Sequence, residues 1–201
     1  YAIAAHLPME AILPAYVYFW SLPSIGFFLI LIALDRDPAR IKRYVILYAV
    51  AWIVCGNLLA MAGSSVGPVY YDRLLETDRF TDLLAALQSG AVNGSFIERL
   101  QGNLWDLHES GNQALGSGIS AFPSVHVSST MVLALYAHDR LGRVGTVAGS
   151  ALVAVILFLS VYTGYHYAVD GYASIAMMLF AYAYLKQPSK RGAPKPEVQA
   201  A

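Results

Sequence analysis

Five stretches of this chain are each about long enough, and apolar enough, to cross a membrane. Residues 12–34, 44–62 and 144–165 carry no charge. Residues 121–137 carry His126 as the one ionisable group apart from tyrosine, and residues 167–185 carry only Asp170. A hydrocarbon core of about 30 Å is spanned by roughly 20 apolar residues in a helix. The stretches are continuously apolar and do not alternate, which argues against membrane strands. They predict an all-α, polytopic bundle of five transmembrane helices. Composition agrees: 57% of the 201 residues are apolar and 13% charged, against roughly 25% charged in a soluble domain. Mean hydropathy is +0.52. A soluble globular domain and a disordered chain are thereby excluded. Thirteen Lys and Arg balance thirteen Asp and Glu, so no net charge draws a polyanion, and nucleic acid is not an expected partner. The lone Cys55 permits neither an intramolecular disulfide nor a cysteine metal cluster and reads as a small core residue.

Orientation follows from the placement of Lys and Arg. Arg36, Arg40, Lys42, Arg43, Arg140, Arg143, Lys186, Lys190, Arg191 and Lys195 all fall on one side if the helices alternate. Residues 63–120 hold only Arg73, Arg79 and Arg99, and this long loop is expected outside the cytoplasm. The C-terminus is then cytoplasmic. The chain begins at Tyr1 rather than Met, and its outward N-terminus would suit a sixth helix ahead of it. Within the loop, Leu74, Leu75, Phe80, Leu83, Leu84 and Leu87 recur among charges over residues 72–88. Ile97, Leu100, Leu104 and Leu107 do the same over 96–107. Both patterns suit short amphipathic helices, lying on the membrane surface or capping the bundle. Gly90, Gly94 and the glycines from Gly111 to Gly118 supply breaks. Residues 1–187 read as one membrane-embedded domain. Residues 188–201, rich in Pro, Lys and Ala, read as a disordered tail.

Ionisable groups in apolar helices are costly and mark functional sites by default. Here they are His126, His166 and Asp170. His126 opens the third stretch and His166 lies between the fourth and fifth. The third and fourth stretches form a hairpin, so both histidines return to the same face. Asp170 follows His166 by four residues, which in a helix sets carboxylate beside imidazole. Such an Asp holds one ring nitrogen and leaves the other as nucleophile or base. Packing residues, or a zinc site of two His and one Asp, are the alternatives on residue types alone. Gly145 and Gly149 form a small-xxx-small pair, a helix-packing signal. Tyr16, Tyr18, Trp20, Tyr44, Tyr48 and Trp52 read as interface anchors and packing residues.

Residues Ala121-Phe122-Pro123-Ser124-Val125-His126 resemble the Pro-Ser-Gly-His motif of the type-2 phosphatidic acid phosphatase superfamily. Thr163-Gly164-Tyr165-His166-Tyr167-Ala168-Val169-Asp170 resembles its last motif, which ends His-x-x-x-Asp. The Phe-Pro-Ser-x-His and His-Tyr-x-x-Asp forms are most similar to the inositol phosphorylceramide synthase branch, and sphingomyelin synthases share the His/His/Asp triad. The resemblance spans roughly residues 63–185. It implies that His166 attacks phosphorus to give a phosphohistidine, that Asp170 orients His166, and that protonated His126 supplies the leaving alkoxide with its proton. It implies no metal and no cofactor. The expected substrate is a phosphorylated lipid, with an alcohol as a further acceptor and membrane lipids around the bundle. The expected setting is a membrane such as the bacterial inner membrane, with the site extracytoplasmic. Pro123 suits a first helical turn, and amides near Ser124 and Val125 point to a phosphate at the positive helix end.

The chain departs from the family in its cations. The Lys and Arg-Pro of the first motif are absent, Leu159 and Ser160 stand where Ser-Arg is usual, and Val125 replaces Gly. Arg is the natural bidentate partner of phosphate. Arg73, just beyond the second stretch, is the expected substitute, with Ser124 and Val125 the other expected substrate-binding residues. A catalytically inactive relative, acting as a membrane binding or assembly protein, is the alternative to an enzyme.

Overall fold

A computed structural model of the protein describes residues 9–63, 65–88, 96–111 and 119–187. His6, the breaks expected at Gly90, Gly94 and 112–118, and the tail 188–201 lie outside the described residues. The described chain is helical throughout, with one antiparallel bridge, Val66 to Ser120, joining the two ends of the long loop.

The first membrane helix is α1 (Met9–Ser21), a wider i→i+5 turn over Leu22–Phe27, and α2 (Phe28–Ala33). Pro23 has no N–H, and its ring conflicts with the carbonyl four residues back. The wider winding accommodates this conflict. The second membrane helix begins at α3 (Pro38–Ala49), widens over Val50–Leu59 and ends in α4 (Ala60–Gly63). The Asp37 carboxylate caps α3, accepting from the amides of Ala39 at 3.0 Å and Arg40 at 3.2 Å. Inside the wide segment the Asn57 amide donates to the Trp52 carbonyl at 2.7 Å.

Three further long helices follow the loop: α8 (Val125–Leu141), α9 (Arg143–Tyr162) and α10 (Ala168–Lys186). Among the described residues, four helices are long and apolar enough to cross a membrane: Pro14–Ala33, Pro38–Gly63, Arg143–Tyr162 and Ala168–Lys186. The sequence led us to expect a fifth over 121–137. That stretch is the 17-residue α8, which starts only at Val125 and ends beyond Arg140. Every residue from Val127 to Tyr136 is buried, so α8 is the axis the other helices surround. Its hydroxyls are spent internally: Ser129 donates to the Val125 carbonyl at 2.7 Å and Thr130 to the His126 carbonyl at 2.7 Å. The first membrane helix adds Trp20 Nε1–H to Ser129 Oγ at 2.9 Å and a Ser24–Thr130 hydroxyl pair at 3.1 Å.

The closest helix pair is α8 with α9. A side-chain carbon at Gly149 would lie 2.7 Å from the Ala134 backbone, and one at Gly145 would overlap the Ala137 carbonyl. The small-xxx-small reading holds for this reason. At the end of the bundle away from the histidines, Asp139 accepts from Arg43 at 3.1 Å, Tyr44 at 2.8 Å, Tyr182 at 2.6 Å and Lys186 at 3.2 Å. Asp35 there accepts from Arg40 twice at 2.6 Å and from Tyr136 at 2.7 Å.

The long loop holds α5 (Pro68–Leu75), α6 (Thr81–Gln88) and α7 (Phe96–Glu109). The single amphipathic helix expected over 72–88 is thus two. Glu76 takes a left-handed conformation (φ 52°), and Asp72 accepts from the Thr77 hydroxyl at 2.9 Å and the amides of Arg79 and Phe80 at 3.0 and 2.7 Å. That bond set ends one helix and starts the next. Val69, Tyr70, Leu83, Leu87 and Trp105 form a second core, against which Val17, Tyr162 and Tyr165 of the bundle pack. The loop helices cap the bundle.

Candidate active site

His126 is the second residue of α8, set by the cap ahead of it. Ser124 is fully buried; its hydroxyl accepts from the Val127 amide at 3.4 Å and its carbonyl accepts from the Ser174 hydroxyl at 2.9 Å. Its own amide donates to the Asp170 carbonyl at 3.4 Å. These bonds tie the start of α8 to α10. Pro123 was expected in the first helical turn. It stands one residue before the Ser124 cap, because the helix begins at Val125. The Val125 side chain sits against Gly56, where an added side-chain carbon would be 2.6 Å from its methyl.

His166 is delivered by the turn after α9. Thr163 returns its hydroxyl to the Leu159 carbonyl at 2.8 Å. Gly164 then reverses the chain at φ +75°, a value that suits glycine, and its carbonyl accepts from Val69 N at 2.9 Å. The His166 amide donates to the Ser160 carbonyl at 3.2 Å. His166 is 5% exposed and Asp170 is 2% exposed.

The two imidazoles meet. His126 Nδ1 lies 3.0 Å from His166 Nε2, with ring centroids 5.2 Å apart. His166 Nδ1 lies 2.7 Å from the Ala121 carbonyl. A carbonyl only accepts, so Nδ1 of His166 carries a proton. In its neutral form Nε2 then holds the lone pair, and His126 Nδ1–H donates to it. The fold therefore fixes opposite roles for the two facing nitrogens.

Asp170 relates to His166 differently from the expected helical i,i+4 pair. His166 lies ahead of α10, which Tyr167 caps, and Asp170 is in its first turn. The Asp170 carboxylate accepts from Tyr167 N at 2.7 Å, and its Oδ2 stands 3.7 Å from His166 Nδ1. This is an electrostatic contact; the hydrogen bond to that nitrogen belongs to Ala121. A backbone carbonyl carries no side-chain signal, so sequence reasoning missed it.

Sequence reasoning also missed the first membrane helix. Trp20 lies 4.2 Å and Tyr16 5.2 Å from the His126 ring, centroid to centroid. Tyr16 is 2% exposed, and its buried hydroxyl has no hydrogen-bond partner. Of the outer arginines, Arg73 stacks 4.3 Å over Trp105 in the cap core. Arg79 lies 5.9 Å from the Phe80 ring, which packs at 6.3 Å on Tyr167, the neighbour of His166. Burial pushes the Tyr165 and Tyr167 hydroxyls above the usual phenol range, Gln101 opposing this at Tyr165. Both stay neutral near the pair.

An N–H-donating histidine, a lone-pair histidine and a carboxylate at one end of an apolar bundle can pass a proton and form a bond to an electrophile. No curated protein and no solved structure gives a significant match to the chain. The family model described as the PAP2 superfamily covers residues 2–184, both histidines and Asp170 included, and the chain belongs to that superfamily.

Proposed function

We propose that the protein is a metal-independent lipid phosphatase or phosphotransferase that works through a phosphohistidine on His166, at the extracytoplasmic membrane face. The observation that carries this is the pairing of His126 Nδ1 with His166 Nε2 at 3.0 Å, with His166 Nδ1 committed to Ala121. The lone pair that would attack phosphorus is thereby fixed on Nε2.

In the first half-reaction His126 turns its N–H from His166 to the substrate. His166 Nε2 bonds to phosphorus, the phosphorus–alkoxide bond breaks, and His126 gives its proton to the alkoxide. The phosphorylated imidazole is cationic; the Ala121 carbonyl and Asp170 stabilise it from the Nδ1 side. In the second half, the oxygen of water or an alcohol attacks phosphorus, its proton passes to His126, and the nitrogen–phosphorus bond breaks. The expected rate is bell-shaped in pH, because one histidine must act neutral and the other charged. The unpartnered Tyr16 hydroxyl, Arg73 and Arg79 are the candidates to meet phosphoryl oxygens, and the amides of Val125 and His126 open the positive end of α8. The Phe-Pro-Ser-x-His and His-Tyr-x-x-Asp forms support the transferase branch; the superfamily as a whole supports hydrolysis. The excess of Lys and Arg at the Asp139 end supports a cytoplasmic C-terminus.

The test is phosphate release and headgroup transfer across a panel of lipid phosphates in detergent, with and without alcohol acceptors. Phosphate release abolished by His166→Ala identifies a phosphatase. Transfer that needs both an acceptor and His166 identifies the transferase. Absence of both, or turnover that survives His166→Ala, refutes the assignment.

A further inference from the structure

Between the first membrane helix and the histidine pair lie ring contacts on His126 that the scheme above does not use. The Trp20 indole stands 4.2 Å from the His126 ring at an interplanar angle of 54°, and Tyr16 stands 5.2 Å from it at 34°. Trp20 is held there: its Nε1–H donates to Ser129 Oγ at 2.9 Å, three residues along α8 from His126. The Ser129 hydroxyl is in turn bonded to the Val125 carbonyl at 2.7 Å. The indole is therefore referenced to the same helical turn that carries His126.

A proton donor must carry its proton, and a charged imidazole among apolar helices needs a counter-charge. The titratable groups around His126 supply little. Tyr16 of α1 and His166 of the turn before α10 meet its ring, Tyr165 packs on Tyr16 at 6.0 Å, and Asp170 of α10 stands behind His166. The one carboxylate among them, Asp170, lies beyond His166, 3.7 Å from the nitrogen turned away from His126. An aromatic face within about 6 Å attracts a cation through its quadrupole, tryptophan most strongly.

We propose that Trp20, assisted by Tyr16, is a positioning residue that fixes the His126 ring and stabilises its protonated form, which makes the first membrane helix part of the reacting machinery. This rests on the reading of His126 as the proton donor. It predicts an ionisation of His126 that depends on the aromatic face.

The test follows the ionisation of His126 by NMR of the full chain, histidine-labelled, in detergent micelles. Its signal is assigned by its loss in His126→Ala. Trp20→Leu is expected to move the His126 midpoint down by about half to one and a half pH units. Trp20→Phe is expected to move it by a smaller amount. The alkaline limb of the rate profile should shift with it while KM holds. Ser129→Ala, which frees the indole without removing it, should shift the midpoint in the same direction by less, and it answers the question should Trp20→Leu fail to fold. A midpoint unmoved in Trp20→Leu, or in Ser129→Ala where that variant stands in, overturns the proposal. So does an equal shift in Trp20→Leu and Trp20→Phe, since burial alone would then explain it. Lack of turnover in the wild-type protein would count against the phosphohistidine scheme; the titration would still decide the role of Trp20.

Discussion

The two ends of this bundle handle polar groups in opposite ways. Around Asp139 two cations and two phenols converge on one carboxylate, and around Asp35 an arginine and a phenol do the same. Each of these two carboxylates is saturated by donors, although Nε of Arg43 is itself buried without a partner. At the histidine end the pairing is incomplete: the Tyr16 hydroxyl is buried without a partner, and the two imidazoles satisfy each other only until something separates them. Unpaired buried polar groups cost about 1–3 kcal/mol each. The saturated carboxylates suit a scaffold, and the histidine end is where the proposed chemistry lies.

That contrast can be broken by substitution. The largest effect expected is at His166: His166→Ala should abolish turnover and phosphoenzyme formation, with little change in thermal unfolding in detergent. A cooperative loss of fold would instead make His166 structural. Next comes Asp170→Asn, which keeps an oxygen for the Tyr167 amide and removes the charge. A charge at about 4 Å is worth roughly 4 kcal/mol at an effective dielectric near 20, so kcat should fall by up to about 10³-fold. Unchanged kcat would reduce Asp170 to a cap. At the other end, Asp139→Ala strands four donors and should lower unfolding free energy by on the order of 3 kcal/mol, with activity per folded molecule retained. Equal damage to kcat and stability would erase the distinction between the ends. The smallest effect concerns acid. Arg40 holds the Asp35 carboxyl well below the usual carboxylate range, ahead of opposing burial. A depressed carboxylate contributes stability that is full above the unfolded value of about 3.9 and declines as pH falls below it. Thermal unfolding from pH 6 to pH 3 should show this decline in the wild type and less of it in Asp35→Asn.

Much of this was legible in the sequence, and what was not has identifiable causes. Apolar runs marked the long helices, and the motif spacing brought His126 and His166 to one end. The third stretch was read as a span from its apolarity; its serines and threonine at 128–130 and its charged end at Asp139 and Arg140 mark the 17-residue α8, whose middle is buried among the other helices. The cap was read as two helices because the pattern of leucines runs through residues 76–80, where Asp72 gathers the backbone. At the site, Asp170 was legible as a neighbour of His166 but not its distance, since α10 starts two residues after His166, too late for helical i,i+4 packing. The Ala121 carbonyl and the tilted ring contacts of Trp20 and Tyr16 with His126 arise across more than 40 residues, which no local pattern encodes.

The tight approach of α8 and α9 through Gly145 and Gly149 has a consequence for how the protein is made. His126 opens that hairpin and His166 follows its close, so the reacting pair belongs to one consecutive stretch of chain. Sequence-local contacts cost the least loop entropy and form soonest. As the polypeptide leaves the ribosome and enters the bilayer, the two imidazoles can be brought together by a single helical hairpin. The first two membrane helices, already synthesised, then have only to fold back against it.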